Sequence, residues 1–199
     1  MPGSYPGFSW RNARPEDAET LSRLSVAGWR QTYAGQMPDS VLGRMEENPH
    51  HDPASWHRRL ERRPPDRWTR IVETDRGEPV GFLWFGREEG RLPGYRGEIE
   101  TIYLLKPAQG RGLGRALMAD TFQTLEDADL SPVAIWVFDF NRGALDFYEK
   151  LGGKALGRSE TVFEADGRPY RETAYGWPPS GLRFRAQVDL GQGRRPASP

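Results

Sequence analysis

The sequence predicts an α/β (α+β) domain: a mixed, mostly antiparallel sheet flanked by helices, with one parallel strand pair. Three observations carry this. Residues 68–105 read as three alternating strands with turn residues between them. A glycine-rich turn then opens an apolar-periodic helix that leads into "VAIWVF", a β-α-β crossover. Two further strands, 155–165 and 170–177, flank "DGRP", a strong hairpin turn.

Each element has its own justification. "FSWRNARPEDAETLSRLSVAGWRQTYAGQ" reads as a short strand, a Pro-Glu-Asp helix start and a helix. Glu16, Asp17 and Glu19 suit the positive end of a helix dipole, and Leu21, Leu24, Val26 and Trp29 follow at roughly helical spacing. Residues 36–66 are rich in Pro, His and Arg; short helices are expected at 41–45 and 56–60, with loops elsewhere. "WTRIVETD", the turn "RGEP" and "VGFLWFGRE" form a hairpin, and "RGEIETIYLL" is the third strand. Leu113, Leu117, Met118, Phe122 and Leu125 make a helical stripe. "VAIWVF" has the β-branched and aromatic content of a strand covered on both faces. "NRGALDFYEKLGG" has Asn as N-cap, an apolar face and a Gly-Gly stop. The expected domain spans 8–177. Residues 178–199 form a C-terminal extension in which 182–190 alternate strictly as a half-buried strand, ahead of a disordered end. Such a strand could add a sheet edge, or be exchanged between the subunits of a homodimer.

Composition limits the function classes. Lys+Arg and Asp+Glu balance at 28 each, which gives no general attraction to nucleic acid or to an anionic membrane. Cysteine is absent, which excludes disulfides, thiolate metal sites and cysteine nucleophiles. His50, His51 and His57 have no carboxylate at metal-ligand spacing and read as surface residues, so no metal is expected. Without a leader or a membrane-length apolar run, the default reading is a soluble, cytoplasmic protein.

The turn "QGRGLGR" aims backbone N–H groups and a helix dipole at one point, a ready anion site. A dinucleotide fingerprint counted from Gly110 and Gly112 would need glycine where Arg115 stands, and a P-loop would need Lys-Ser/Thr after its last glycine. The remaining pattern is Q-x-x-G-x-G, formed by Gln109, Gly112 and Gly114. With Ile135, Val137, Asn141, Ala144, Phe147, Tyr148 and Gly152 in the following strand and helix, the chain resembles the GNAT superfamily of acetyl-CoA-dependent N-acetyltransferases from about residue 8 to 177. Gly153 stands where that family usually has an aromatic residue, and Lys106 where proline is common.

The resemblance implies a cofactor site. Gln109, Gly110, Arg111, Gly112, Leu113, Gly114 and Arg115 would cradle the diphosphate of acetyl-CoA. The strand edge at Tyr103 and Leu104 would pair with the pantetheine amides where the parallel strand splays away. Asn141 is read two ways, as a partner of the cofactor arm or as a helix cap only. Tyr148 would be the general acid for the leaving sulfur, or else a core residue. Glu98 is the expected general base, often acting through a water, with Glu100 as backup; both could instead be solvated strand residues. Trp29, Arg30 and Tyr33, with Gln36, are assigned to a loop after the first helix that floors the acceptor cleft. The implied function is transfer of an acetyl group to a primary amine of a small molecule or peptide, by direct attack in a ternary complex. A non-catalytic acyl-CoA-binding or regulatory domain on the same fold is the alternative.

Overall fold

The alternating apolar residues of the central strands become the two faces of one eight-stranded sheet in a computed structural model, which describes residues 3–44, 51–162 and 167–178. The strands are β1 (Gly3–Tyr5), β2 (Phe8–Asn12), β3 (Arg67–Thr74), β4 (Pro79–Arg87), β5 (Gly97–Leu104), β6 (Val133–Phe138), β7 (Lys154–Val162) and β8 (Pro169–Trp177). Their order across the sheet is β1-β2-β3-β4-β5-β6-β8-β7, and every pairing is antiparallel except β5 with β6.

Helices cover both faces. On one side α1 (Ala18–Tyr33) and α3 (Pro53–Glu61) bury Leu21, Leu24, Trp56 and Leu60 against Ile71 and Phe82. On the other, α4 (Leu113–Asp127) and α5 (Arg142–Lys150) pack Leu113, Leu117, Phe122, Leu145 and Tyr148 against Leu83, Phe85, Ile99 and Val133. The short α2 (Asp39–Gly43) joins a third cluster with Tyr33, Met37 and Phe138.

Several expectations are corrected. The first strand is one arm of a hairpin, because Gly3, Ser4 and Tyr5 pair with Trp10, Ser9 and Phe8; the sheet therefore begins before residue 8. The buried stripe of α1 is Leu21, Leu24, Ser25 and Gly28, while Val26 and Trp29 are half-buried, since helical geometry selects i, i+3, i+4 and i+7. Trp29, Arg30 and Tyr33 belong to the last turns of α1 and not to the loop after it. His51 is not a surface residue: its Nδ1 lies 2.5 Å from Ser25 Oγ inside the fold, whereas His57 is exposed on α3. His50, Met45 and the strand expected at 182–190 with its end lie outside the described residues. No helix among the described residues is long and apolar enough to cross a membrane.

Candidate active site

The parallel pair opens almost as soon as it forms. β5 and β6 pair at Gly97–Val133 and Glu98–Ala134, and no register continues beyond them. The cause lies on both sides. β6 stays in register with β8 from Val133–Trp177 to Phe138–Glu172, while β5 carries a bulge. Trp84 faces Thr101 and Phe85 faces Ile99, so Glu100 is the extra residue, and such an insertion bends its strand. The gap is a cleft of about 710 Å³, walled by Tyr103 and Leu104 on β5 and by Ile135, Trp136 and Val137 on β6.

The glycine turn closes one end of the cleft. Gly112 has φ +82°, a left-handed conformation that an L side chain rarely adopts, and it is the N-cap of α4. A Cβ on Gly114 would meet Phe147 Cζ at 3.3 Å, so glycine lets α4 and α5 approach closely. The first amides of α4 have no partner within the helix and form its positive end. Lys106, Arg115 and Lys150 add cationic side chains to the lining. Gln109 fixes the turn by donating from Nε2 to the Leu104 carbonyl at 2.7 Å. Gln31 on α1 does the same at 3.2 Å, and its Oε1 accepts from Lys106 N at 2.8 Å.

Proton-carrying groups lie in the cleft wall and just behind it. Glu98 is 6% exposed, and burial, helped by the charge of Glu100, pushes its carboxyl up to about 7. Its nearest cation is Arg91, Nη1 to Oε1 at 3.7 Å. Burial also raises Glu100, but Arg67 pairs with it and opposes that shift. Tyr148 is buried, edge-on to Trp177 at 5.8 Å, and burial holds its phenol far above the ordinary value. Tyr33 is buried, which raises its phenol, and the polar groups of Tyr103 and Asn141 oppose that shift. Asn141 is also the cap of α5, its Oδ1 accepting from Ala144 N at 3.2 Å.

The pattern of the Acetyltransferase (GNAT) family matches residues 28–153, a span that holds the splayed strands, the glycine turn and α5. The chain belongs to the GNAT acetyltransferase family. It is 29% identical over 168 residues to the uncharacterized N-acetyltransferase YuaI of Bacillus subtilis (strain 168), covering 84% of this chain and 91% of that protein. Mycothiol acetyltransferase of Rhodococcus erythropolis is 30% identical over 154 residues, 70% of this chain but 51% of that protein, so the match spans about half of that relative. Among solved structures, PaiA N-acetyltransferase from Thermoplasma acidophilum in complex with coenzyme A is similar in fold, with TM-score 0.66, 19% identity, and 83% of this chain and 97% of that one covered. Ribosomal-protein-S5-alanine acetyltransferase from Vibrio fischeri gives TM-score 0.69 at 15% identity, covering 89% and 96%.

In this GNAT acetyltransferase, an acyltransferase by family, the cleft brings together most of the residues singled out by the sequence. Tyr33, Glu100, Tyr103, Leu104, Gln109, Gly110, Gly112, Gly114, Arg115, Asn141 and Tyr148 all line it. Arg111 does not; its guanidinium lies over the Phe8 ring, 4.7 Å from the centroid. Leu113 is wholly buried in the core. Trp29 packs edge-on to Tyr33 at 4.6 Å, and neither it nor Arg30 lines the cleft. Glu98 sits behind the lining, where β5 and β6 still pair. Sequence reasoning missed Gln31, which lies inside a helix with no motif around it, and Arg67, whose partner Glu100 is 33 residues away. Among the described residues, no group of His, Asp and Glu is placed to hold a metal ion.

Proposed function

We propose that this protein is an N-acetyltransferase that moves the acetyl group of acetyl-CoA to a primary amine of a small molecule or peptide, by direct attack in a ternary complex. One observation carries the reading: the splayed β5–β6 cleft is lined both by the glycine turn with Lys106, Arg115 and Lys150 and by a buried, proton-holding Tyr148. A diphosphate fits that turn, because Gly110 brings no Cβ and has open space where one would lie, the first amides of α4 form its positive end, and Lys106, Arg115 and Lys150 supply charge. The open edge of β5 at Tyr103 and Leu104 suits the amides of a pantetheine arm, and Asn141 borders that path as well as capping α5.

Acetyl-CoA supplies an acetyl group activated as a thioester. Glu98 accepts, through a water, the proton that an alkylammonium must lose before its nitrogen can attack; its poise near neutrality matches that task. Glu100, paired with Arg67, stays the backup base and holds negative charge beside the incoming cation. Tyr148 keeps its proton at neutral pH and gives it to the departing thiolate. Tyr33, which lines the cleft with Tyr103 and Asn141, borders the acceptor side, with Trp29 supporting its ring and Arg30 at the outer end of α1.

The reading is tested by thiol release from acetyl-CoA against an amine panel, beside a thermal shift with CoA. Thiol release dependent on an amine is expected. A thermal shift with no thiol release would leave the acyl-CoA-binding reading in its place. Tyr148→Phe should lower turnover at least about tenfold with little change in the KM for acetyl-CoA; an unaltered turnover removes the acid assignment.

A further inference from the structure

A second hollow lies on the α3 side of the sheet, away from the glycine turn. It encloses about 470 Å³, and its lining includes Arg58, Arg59, Arg62, Arg63 and Arg67 beside Trp84. The concentration is notable in a chain whose acidic and basic residues cancel. It arises from local sequence: "HRRLERR" places four arginines on the last turns of α3 and just past its end, and Arg67 follows at the start of β3.

Four of the guanidiniums are held in place. Arg59 lies between two indoles, 5.1 Å from the Trp56 centroid and 4.8 Å from that of Trp84. Arg58 donates to Ser55 Oγ at 2.8 Å, and Arg63 to the Arg67 carbonyl at 3.0 Å. Arg67 donates to Glu100 and, at 2.5 Å, to Glu89. Arg67 thus borders the hollow while its partner Glu100 borders the catalytic cleft, so the two cavities meet at one ion pair. The planar donor forks of arginine match the oxygens of carboxylate and phosphate. Arg67 is balanced by Glu89 and Glu100, but Arg58, Arg62 and Arg63 crowd beside Arg59 and leave a positive potential that an oxyanion relieves.

We propose that this hollow is the subsite for an anionic group, a phosphate or carboxylate, carried by the acceptor amine. The proposal rests on the acetyl-transfer reading above. The acceptor's amine lies on the Glu100 side of the shared ion pair, and its anionic end lies among the arginines. The substrate class is therefore an amino-phosphate or amino-carboxylate, not a polycationic amine. The concave shape and its junction with the cleft favour a small molecule over a nucleic-acid strand.

The test has a binding arm and a kinetic arm, both on the full chain. With CoA saturating, so that the diphosphate turn is filled, inorganic phosphate is titrated calorimetrically. Binding to the wild type is expected, with affinity reduced at least about tenfold in Arg58→Gln/Arg62→Gln. The charge-matched Arg23→Gln/Arg76→Gln should bind as the wild type does, and Arg58→Lys/Arg62→Lys should recover part of the loss. Thermal melts confirm that the variants fold. In the kinetic arm, O-phosphoethanolamine is compared with ethanolamine, and β-alanine with propylamine. The anionic member of each pair should have kcat/KM at least about tenfold higher, a preference lost in Arg58→Gln/Arg62→Gln. Inorganic phosphate should compete with the anionic amine. Thiol release with equal rates for neutral and anionic amines, or equal phosphate affinity in the wild type and the double variant, overturns the subsite while leaving acetyl transfer intact. Phosphate binding that depends on these arginines, with no thiol release from any amine, instead overturns acetyl transfer and the acceptor assignment with it. Phosphate that activates without competing assigns the hollow to a separate anion and also overturns the proposal.

Discussion

Glu98 is buried where two strands still pair, and its carboxyl is held near 7, above the model-compound value of 4.5. Two consequences follow. With Glu98 as base, kcat/KM should fall in acid with a midpoint near 7, and Glu98→Gln should abolish that limb; a limb that persists assigns the base elsewhere. Stability carries the same signature. Between about pH 4.5 and 7 the folded chain holds a proton that the unfolded chain has released, so stability falls as pH rises through that window. Glu98→Gln should therefore raise Tm relative to wild type more at pH 8 than at pH 5, and parallel Tm profiles would contradict this. The family resemblance put Glu98 and Glu100 forward as candidates, and motif spacing did so for Tyr148 and Asn141. Which of the two carboxylates is buried was not legible, because the deciding partner Arg67 comes from a distant strand. His51 escaped for the same reason: its partner Ser25 lies across the fold, 26 residues away.

At the scale of elements, the cleft depends on how closely α1 and β5 approach. A Cβ on Gly28 would lie 2.6 Å from Tyr103 Cγ, so Gly28→Ala must displace the helix or the ring. A cost of about 1–3 kcal/mol is expected by denaturant titration, with a changed KM for acetyl-CoA because Tyr103 walls the cleft on the pantetheine path. Gly112→Ala acts differently. The residue lies at φ +82°, which strains an L side chain by about 1–2 kcal/mol, and its Cβ would also meet Tyr5 Oη at 2.5 Å, so both effects fall on the turn that leads into α4. Weaker CoA binding by calorimetry should accompany it. The start of α4, the cap of α5 and the two hairpins were readable because Gly, Asn and apolar periodicity sit at fixed offsets. β1 was not, because three residues held between prolines carry no period. The bulge at Glu100 was equally hidden, since an inserted residue shows only against its neighbouring strand.

Across the whole molecule, one buried charge ties the sheet to a helix. Arg70 of β3 is 2% exposed and pairs with Asp120 of α4, which also accepts from Trp10 Nε1 at 2.9 Å; Arg70 donates to Thr124 at 2.7 Å. Asp120→Ala strands that guanidinium and should cost about 3–5 kcal/mol in urea unfolding. Arg70→Met/Asp120→Leu should recover much of the loss; equal destabilisation by both would show that the charge pair is not the cause. The fold class was legible at this scale because a crossover helix between two strands dictates a parallel pair. That β8, not β7, sits beside β6 was not, because a hairpin read from sequence offers either of its strands.

The break after Glu98 and Ala134 also divides the chain in time. The pairings among β1 through β5 lie within residues 3–104, so this half of the sheet can assemble while the rest is still being synthesised. Until β6 emerges, β5 is its raw border. When β6 does arrive it seals only the first rungs of that border, and the remainder persists in the mature molecule as the wall of the cleft. The edge left exposed during biosynthesis is thus the edge retained for binding.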